Sequence, residues 1–177
     1  VWELIDLANH HPRVNILQPG PGVGGHCIAV DPWFIVSSVP EEAKIIKMAR
    51  DVNDGKPAWV IEQVKAAFEG KESSTVAALG IAFKNDIDDL RESPSLSIVK
   101  TLGEENPDLD IRVVEPNVAE LPDSLSSVPN LKKQDLETAV HDADVVLLLV
   151  NHKEFLQMDT TLLEGKSVID TKGIWRS

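Results

Sequence analysis

The sequence predicts an α/β protein in which a Rossmann-like parallel sheet follows a mainly helical arm. Short apolar runs of strand length alternate with segments of helical periodicity from residue 75 onward. The run over residues 145–150, Val-Val-Leu-Leu-Leu-Val, is apolar at every position, which is typical of a parallel strand buried on both faces. Residues 1–68, in contrast, carry apolar groups mainly at helical spacing.

The first half of the arm is predicted from start and stop signals. A helix is expected within residues 1–10, and Pro12 ends it because proline disfavours α geometry in the residue before it. Residues 13–17 are predicted to be extended and to lead into a glycine-rich loop, residues 18–27. Asp31-Pro32 predicts the next helix start, since proline suits the first helical turn.

The second half of the arm carries one long apolar stripe. Its helix is expected to begin after Pro40, with Glu41 and Glu42 at the positive end of the helix dipole. Residues 53–57, Asn-Asp-Gly-Lys-Pro, must break or kink it. The stripe comprises Ile45, Met48, Ala49, Val52, Val60, Ile61, Val64 and Phe68.

A change of composition over residues 69–74 marks a predicted domain boundary, with one domain over residues 1–72 and a second over residues 73–177. Predicted strands cover residues 75–83, 111–114, 144–150 and 167–170, and predicted helices cover residues 93–102 and 134–141. Apolar strands separated by helices indicate a parallel sheet covered on both faces.

Composition excludes several classes of protein. The chain has 177 residues, with 17 Lys and Arg against 29 Asp and Glu, and a net charge of -12. Such a charge argues against a nucleic-acid partner, and no apolar run approaches the ~20 residues of a membrane span. The single cysteine excludes an intrachain disulfide. Because the sequence opens within a helical pattern, without an initiator methionine or a signal peptide, we expect a fragment of a cytoplasmic protein.

Residues 20–25, Gly-Pro-Gly-Val-Gly-Gly, match the dinucleotide-binding pattern G-x-G-x-x-G. That motif requires a helix to start at the glycines, so that backbone amides meet the pyrophosphate. Here Pro32 prevents a helix from running on through the following residues, and no strand–helix–strand unit precedes the motif. We therefore interpret it as a chance match.

The same loop presents Cys27 on a backbone with few side chains. Two alternatives are open for this thiol: a small buried hydrophobe, or a nucleophile. His26 beside it and Asp31 four residues later are neighbours of the kind on which thiolate reactivity depends.

Three motifs carry a family resemblance. Residues 19–34, Pro-Gly-Pro-Gly-Val-Gly-Gly-His-Cys-Ile-Ala-Val-Asp-Pro-Trp-Phe, resemble the active-site loop of the UDP-glucose/UDP-N-acetylmannosamine 6-dehydrogenase family. Residues 80–94 are similar to the family's G-x-A-F-K and D-x-R-x-S-P signature, and residues 170–175 are similar to its closing D-x-R/K-G stretch. The Ile-Ala-Val-Asp-Pro-Trp-Phe continuation is most like the UDP-N-acetyl-D-mannosamine branch.

The resemblance implies an NAD-dependent enzyme that oxidises C6 of a UDP-sugar to a carboxylate in two hydride transfers, for polysaccharide biosynthesis. It implies that Cys27 is the nucleophile, through a thiohemiacetal and a thioester, and that Asp31 orients water unless it caps a helix. Substrate contacts are implied for a set of loop and sheet residues: Gly22, Val23, Gly24, Gly25, His26, Lys84 and Lys172. Lys84 is expected to meet the UDP pyrophosphate, the alternative being a solvated lysine.

Arg91 resembles a family arginine that reaches the NAD, and its alternative role is an ion pair with Asp88 or Asp89. No metal site is predicted. Residues 1–72 resemble part of the family's central helical domain, and residues 73–177 resemble its UDP-binding domain. Most of the NAD site is expected in a preceding domain that these residues do not match, so the chain alone is expected to be inactive.

The resemblance also implies a homodimer, formed through the helical arm. The alternative is that the apolar stripe packs on the chain's own sheet. For function, the alternatives are a dehydrogenase of UDP-glucose, UDP-N-acetylglucosamine or UDP-N-acetylgalactosamine, or a nucleotide-binding and dimerisation module without chemistry.

Overall fold

The computed structural model describes residues 1–69 and 74–175. The described helices of the arm are α1 (Trp2–Ala8), α2 (Asp31–Ser38), α3 (Lys44–Asp54) and α4 (Lys56–Ala67). The first helix, the start at Asp31-Pro32 and the break, which falls at Gly55, are confirmed. The expected start at Glu41 is wrong, because a turn closed by the Ala43 N–H and the Val39 carbonyl delays α3 to Lys44.

The described strands of the second part form one five-stranded parallel sheet in the order β3-β2-β1-β4-β5. This confirms the predicted α/β, Rossmann-like fold. The strands are β1 (Thr75–Leu79), β2 (Asp110–Val114), β3 (Leu131–Lys133), β4 (Val145–Leu148) and β5 (Ser167–Asp170). The helices are α5 (Pro94–Glu105), α6 (Asp123–Ser126), α7 (Leu136–Asp142), α8 (Lys153–Leu156) and a 3-10 helix (Thr160–Leu163).

The sequence prediction is wrong at the end of β1 and omits β3, and β4 ends at Leu148 rather than at residue 150. β1 ends at Leu79 rather than at residue 83, because Gly80 adopts a φ of 88° and turns the chain out of the sheet. The edge strand β3 was not predicted, since it is only three residues long and two of them are exposed lysines. Short, charged edge strands protect a sheet from pairing with other chains, and they lack the apolar pattern that identifies buried strands.

Helices cover both faces of the sheet, as predicted. On one face α4, α5 and α6 pack against alternate strand residues such as Val76 and Ala78. On the other face α7 and Phe155 of α8 pack against the intervening residues, such as Ala77 and Leu79. The sheet is thereby buried on both sides, and the carboxyl ends of its strands are left to carry polar loops.

The apolar stripe of the arm is divided between two environments. Val60 and Val64 of α4 are fully buried in the core of the chain's own sheet. In α3, by contrast, Ile45 is 85% exposed, Met48 62% and Val52 69%. The alternative of packing on the chain's own sheet therefore holds for α4, and only the α3 half of the stripe is exposed.

The predicted domain boundary, between residues 72 and 73, lies outside the described residues. α4, which precedes that boundary in the chain, belongs to the layer that covers the sheet. Across residues 1–69 and 74–175, none of the helices combines the length and the apolar character that a membrane crossing requires.

Candidate functional site

Loops at the carboxyl ends of the strands surround a cleft of about 1230 Å³. Its walls include Trp2 and Gln18 from the arm, Asn85 and Asn151 after β1 and β4, and Lys172 after β5. Open parallel sheets bind ligands at this edge, outside the carboxyl ends of the strands. The cleft therefore lies where the fold itself favours a ligand.

A smaller cavity of about 100 Å³ lies where the three motif regions meet. Gly22 lines it from the glycine loop (residues 18–27), Lys84 from the loop between β1 and α5 (residues 80–93), and Lys172 from the segment after β5. Three of the predicted substrate residues, separated by up to 150 positions in the sequence (172 − 22), thus share one cavity.

Lys172 is the less accessible of the two lysines. Burial lowers the pKa of its ammonium group, and the Asp170 carboxylate opposes this only in part. The Asp170 carboxylate accepts the backbone N–H groups of Lys172, Gly173 and Trp175, which fixes the turn after β5. Among the described residues the Lys172 ammonium has no ion-pair partner within 4 Å, so an incoming anion can supply the missing charge.

Lys84 is exposed and, within the part of the chain that the structure describes, its ammonium also forms no ion pair. The loop that carries it begins at Gly80, whose positive φ brings the chain against Val150. A Cβ at Gly80 would lie 2.5 Å from the Cβ of Val150, so only glycine fits here. The placement of Lys84 beside the cavity therefore depends on this turn.

The glycine loop docks on the β1–α5 loop and on the start of α5. A Cβ at Gly24 would collide with the carbonyl oxygen of Glu92, and a Cβ at Gly25 would lie 3.1 Å from the ring of Phe83. The Val23 N–H donates to Oδ1 of Asn53 in α3 at 2.9 Å. Close backbone approach, rather than a helix start, thus explains these glycines.

A dinucleotide does not fit the glycine motif in this arrangement. The next helix begins at Asp31, six residues beyond the last glycine of the motif, so the glycine amides do not form the N-terminus of a helix. The Val23 amide is already paired, and the faces of Gly24 and Gly25 are covered. Within the described residues, the glycine motif therefore lacks the free, helix-initiating amides that the pyrophosphate of a dinucleotide requires.

Cys27 is exposed, which removes the alternative of a buried hydrophobe. Its Sγ lies 3.0 Å from Nδ1 of His26. The Cys27 carbonyl accepts the N–H of Asp31 at 2.8 Å, which ties the cysteine to the first residue of α2. The helix cap is Val30, so Asp31 is not an N-cap and its exposed carboxylate makes no capping hydrogen bond.

Arg91 forms the ion pair that the sequence left open as an alternative. Its Nε donates to both carboxylate oxygens of Asp89, at 2.9 and 3.0 Å, and its Nη2 donates to Oδ2 at 2.5 Å. Hydrogen bonds from Arg91, with a smaller contribution from nearby His26, lower the pKa of Asp89 to about 2. Ser93 caps α5 as expected, its Oγ accepting the Leu96 N–H at 3.3 Å.

Sequence reasoning missed a buried polar pair beneath these loops. Glu115 follows β2 and His152 precedes α8, and Oε2 of Glu115 lies 3.2 Å from Nε2 of His152. Burial alone raises the pKa of Glu115, but hydrogen bonds from His152 and the Ile81 amide outweigh it, so the pKa lies below its ordinary value. The one available signal is a carboxylate directly after the apolar run of β2.

Comparison with known proteins places these features in one family. The model of the UDP binding domain of the UDP-glucose/GDP-mannose dehydrogenase family matches residues 77–177, and the model of its central domain matches residues 1–55. The chain is 54% identical to a UDP-N-acetyl-D-mannosamine dehydrogenase of Yersinia pestis, covering 99% of the chain and 43% of that protein. It is 53% identical to an NDP-N-acetyl-D-galactosaminuronic acid dehydrogenase of Ralstonia solanacearum, covering 99% of the chain and 40% of that protein.

Solved structures agree with this result. A UDP-N-acetyl-mannosamine dehydrogenase from Staphylococcus aureus superposes with a TM-score of 0.73 at 37% identity, over 99% of this chain and 39% of that one. A UDP-D-ManNAc dehydrogenase from Pyrococcus horikoshii gives a TM-score of 0.77 at 29% identity, over 99% of this chain and 41% of that one. The chain spans about 40% of the length of the curated relatives it matches. On its sequence and its fold, the chain belongs to the UDP-glucose/GDP-mannose dehydrogenase family.

Proposed function

We propose that this chain supplies the UDP site and the nucleophilic cysteine of an NAD-dependent UDP-N-acetyl-D-mannosamine 6-dehydrogenase. The enzyme would oxidise the C6 hydroxymethyl of the sugar to a carboxylate, giving UDP-N-acetylmannosaminuronate. The observation that carries the proposal is the convergence of Lys84, Lys172 and the glycine loop on one cavity at the carboxyl end of the sheet. Because the chain spans about 40% of its relatives, the activity is proposed for a protein that also holds the remainder.

The two lysines are assigned to the diphosphate of UDP. The chain is acidic overall, with a net charge of -12, so an anionic ligand depends on local positive charge. Lys84 and Lys172 supply it at the cavity, and neither ammonium has a carboxylate partner within the described ranges. Charge-assisted hydrogen bonds to phosphate are about twice as strong as neutral ones.

Cys27 is assigned to covalent capture of the aldehyde formed by the first oxidation. Its thiolate sulfur attacks the aldehyde carbon, a C–S bond forms, and the carbonyl electron pair moves to oxygen, which takes up a proton. The resulting thiohemiacetal is oxidised to a thioester, and water then cleaves the C–S bond and releases the thiolate. Exposure of Cys27 and its contact with His26 support this role, and Asp31 is proposed to orient the water.

The hydride acceptor NAD is assigned to the part of the relatives that this chain does not match. No cradle for a dinucleotide occurs at the glycine motif in the described structure, and Arg91 is engaged with Asp89. NAD would accept hydride from C6 in both oxidations. We therefore expect the 177-residue chain alone to lack dehydrogenase activity. A cytoplasmic location stays a prediction.

The sugar is assigned from the loop that follows the cysteine. Residues 28–34 are most similar to the UDP-N-acetyl-D-mannosamine branch of the family, and several relatives bear that name. Overall identity does not decide the question, since the 53% and 54% relatives are named for different sugars. UDP-glucose, UDP-N-acetylglucosamine and UDP-N-acetylgalactosamine remain the alternative substrates.

The exposed stripe of α3 is assigned to a homodimer. Ile45, Met48 and Val52 lie on one face of that helix, spaced by three and four residues, and each is more than half exposed. A two-fold interface would bury the same stripe from both copies.

Calorimetric titration with UDP, and separately with NAD, tests the nucleotide assignment. We expect saturable UDP binding that weakens by about 10- to 100-fold in Lys84→Ala, the loss of one charged hydrogen bond, with no heat from NAD. Lys44→Ala is the matched control, because Lys44 is an exposed lysine in α3 that lines neither cavity. NAD binding without UDP binding would contradict the proposal and favour the glycine motif as a dinucleotide site.

The second candidate is a nucleotide-binding and dimerisation module without chemistry. It predicts UDP binding and a Cys27 that shows no more than ordinary thiol reactivity. The contact between Cys27 and His26 favours the enzyme, and the alkylation experiment described in the Discussion separates the two.

A further inference from the structure

The buried pair Glu115 and His152 ties three loops at the carboxyl edge of the sheet. Both side chains are almost wholly buried, with 1% and 0% of their surface exposed. Oε2 of Glu115 accepts the N–H groups of Ile81 and Ala82, at 2.9 and 3.1 Å, and Oε1 accepts the Asn117 N–H at 3.1 Å. Glu115 thus holds the first residues of the β1–α5 loop.

His152 holds the same loop five residues further on. Its Nδ1 accepts the backbone N–H of Asp86 at 2.9 Å. An atom that accepts an N–H carries no proton, so the proton of the neutral ring must be on Nε2, where it is donated to Glu115. The hydrogen bonds therefore fix both the tautomer and the orientation of the ring. The ring of Phe155 packs against it in an edge-to-face arrangement, with the ring centroids 5.4 Å apart.

Lys84 lies between these two attachment points. The loop is held at Ile81 and Ala82 by Glu115, and at Asp86 by His152. Asp86 adopts a φ of 58°, which turns the loop sharply back, and its Oδ1 accepts the Lys153 N–H at 3.0 Å. The three residues between the attachments are Phe83, Lys84 and Asn85, and all three line the cavity.

A contribution to the stability of the fold does not by itself explain this buried pair. Burying a charged carboxylate costs free energy, which an apolar pair of similar volume would avoid, so a buried carboxylate hydrogen-bonded to an imidazole is weak evidence for stability. What the pair supplies, and apolar side chains cannot, is a set of directed hydrogen bonds to the backbone of the loop.

We propose that His152 is a positioning residue of the nucleotide site: its Nδ1, oriented by the contact of Nε2 with Glu115, fixes the Asp86 amide and thereby holds Lys84 where the diphosphate binds. The inference rests on the proposed function, because it assigns Lys84 to UDP.

Two substitutions separate the contacts that the imidazole makes. In His152→Asn, the amide oxygen occupies roughly the place of Nδ1 and can still accept the Asp86 N–H. In His152→Gln, the longer side chain places its NH2 group near Nε2, so the donor to Glu115 is kept and the acceptor for Asp86 is lost. The exposed His141, at the end of α7, provides the matched control His141→Asn.

UDP affinity of the 177-residue chain is measured by calorimetry for these variants, alone and combined with Lys84→Ala. We expect His152→Gln to weaken UDP binding about tenfold, the effect of losing one positioning hydrogen bond. His152→Asn should retain most of the affinity of the unaltered chain. With Lys84 already removed, His152→Gln should have no further effect, because the histidine acts through that lysine. His141→Asn should bind as the unaltered chain does.

A second measurement does not depend on the variants folding. Nitrogen-15 shifts of the His152 ring in the unaltered chain should show the proton on Nε2, and a proton on Nδ1 would overturn the proposal. Equal affinities for both His152 variants and the unaltered chain would also overturn it, as would the same tenfold loss in the Lys84→Ala background. A chain that binds no UDP, or binds it independently of Lys84, would overturn the proposed UDP site and this inference with it.

Discussion

Arg91 and Asp89 form a two-pronged ion pair within the loop that precedes α5. The guanidinium donates from Nε and Nη2 to both oxygens of a carboxylate only two residues away. The Arg91 side chain is 66% exposed, yet the geometry is strong enough to lower the pKa of Asp89 from its ordinary value of 3.8 to about 2. The ion pair holds the Arg91 guanidinium against Asp89, which also lies near His26.

The pH dependence of stability should report this pair. Because the folded-state pKa is depressed, the pair stabilises the fold above the unfolded pKa near 3.8, and this contribution is lost as the pH falls towards 2. Asp89→Asn should flatten the fall in unfolding free energy between these two pH values, as measured by denaturant titration. Asp88→Asn, a change at the neighbouring exposed carboxylate, is the control, and an equal flattening in both variants would contradict the assignment.

The turn at Gly80 should tolerate no side chain. Its φ of 88° costs an L-residue about 1–2 kcal/mol, and a Cβ would also lie 2.5 Å from the Cβ of Val150. Gly165 provides the control, since its φ is 75° but nothing lies within 4 Å of its Cβ position. Urea unfolding should show a loss of about 1 kcal/mol for Gly165→Ala and a loss of more than ~2 kcal/mol for Gly80→Ala. Equal losses would show that the strand end can move aside.

The α3 stripe should control the oligomeric state. A charge buried in an apolar interface is costly, so the double substitution of Ile45 and Met48 by glutamate should shift a dimer to a monomer in sedimentation velocity. Val168→Glu, on the edge strand β5, changes a partly exposed apolar residue elsewhere and should leave the dimer intact. A chain that is monomeric before any substitution would contradict the dimer proposal.

Cys27 should react faster with iodoacetamide when His26 is present. The thiolate is the nucleophilic form of cysteine, and an imidazole nitrogen 3.0 Å from Sγ can take its proton. Since the chain has one cysteine, labelling measured by intact mass reports this thiol alone. We expect His26→Ala to slow alkylation at neutral pH by at least about threefold.

His11→Ala is the control for the alkylation rates, because His11 is an exposed histidine outside the glycine loop. Identical rates in all three proteins would remove the support for the enzyme over the non-catalytic module.

The parts of the fold that rest on local patterns were predictable. The apolar run of β4 and the Ser-Pro start of α5 identify their elements, because burial on both faces and helix capping act over a few neighbouring residues. β3 carries no such pattern, since its exposed lysines reflect its place at the edge of the sheet. The break in the apolar stripe was predicted at residues 53–57, but the burial of its α4 half and the exposure of its α3 half were not, because they depend on which surface each half meets.

The same distinction applies to the candidate site. Cys27 and Lys84 lie in motifs that a family resemblance can identify. Glu115 and His152 are 37 residues apart and become partners only because β2 and β4 flank β1 in the sheet. The sequence alone does not give the order of the strands in the sheet. It therefore gives no reason to predict that a glutamate after one strand contacts a histidine after another.

The packing of α4 on the sheet attaches the helical arm to the domain that carries the nucleotide cavity. Val60 and Val64 would have to leave the core before the arm could swing away from the nucleotide cavity. Asn53 lies in α3, the helix before α4, and its side chain accepts the Val23 N–H. This hydrogen bond attaches the glycine loop to the helices of the arm. The glycine loop that carries Cys27 is therefore linked, through Asn53 and the helices packed on the sheet, to the loops that carry Lys84 and Lys172.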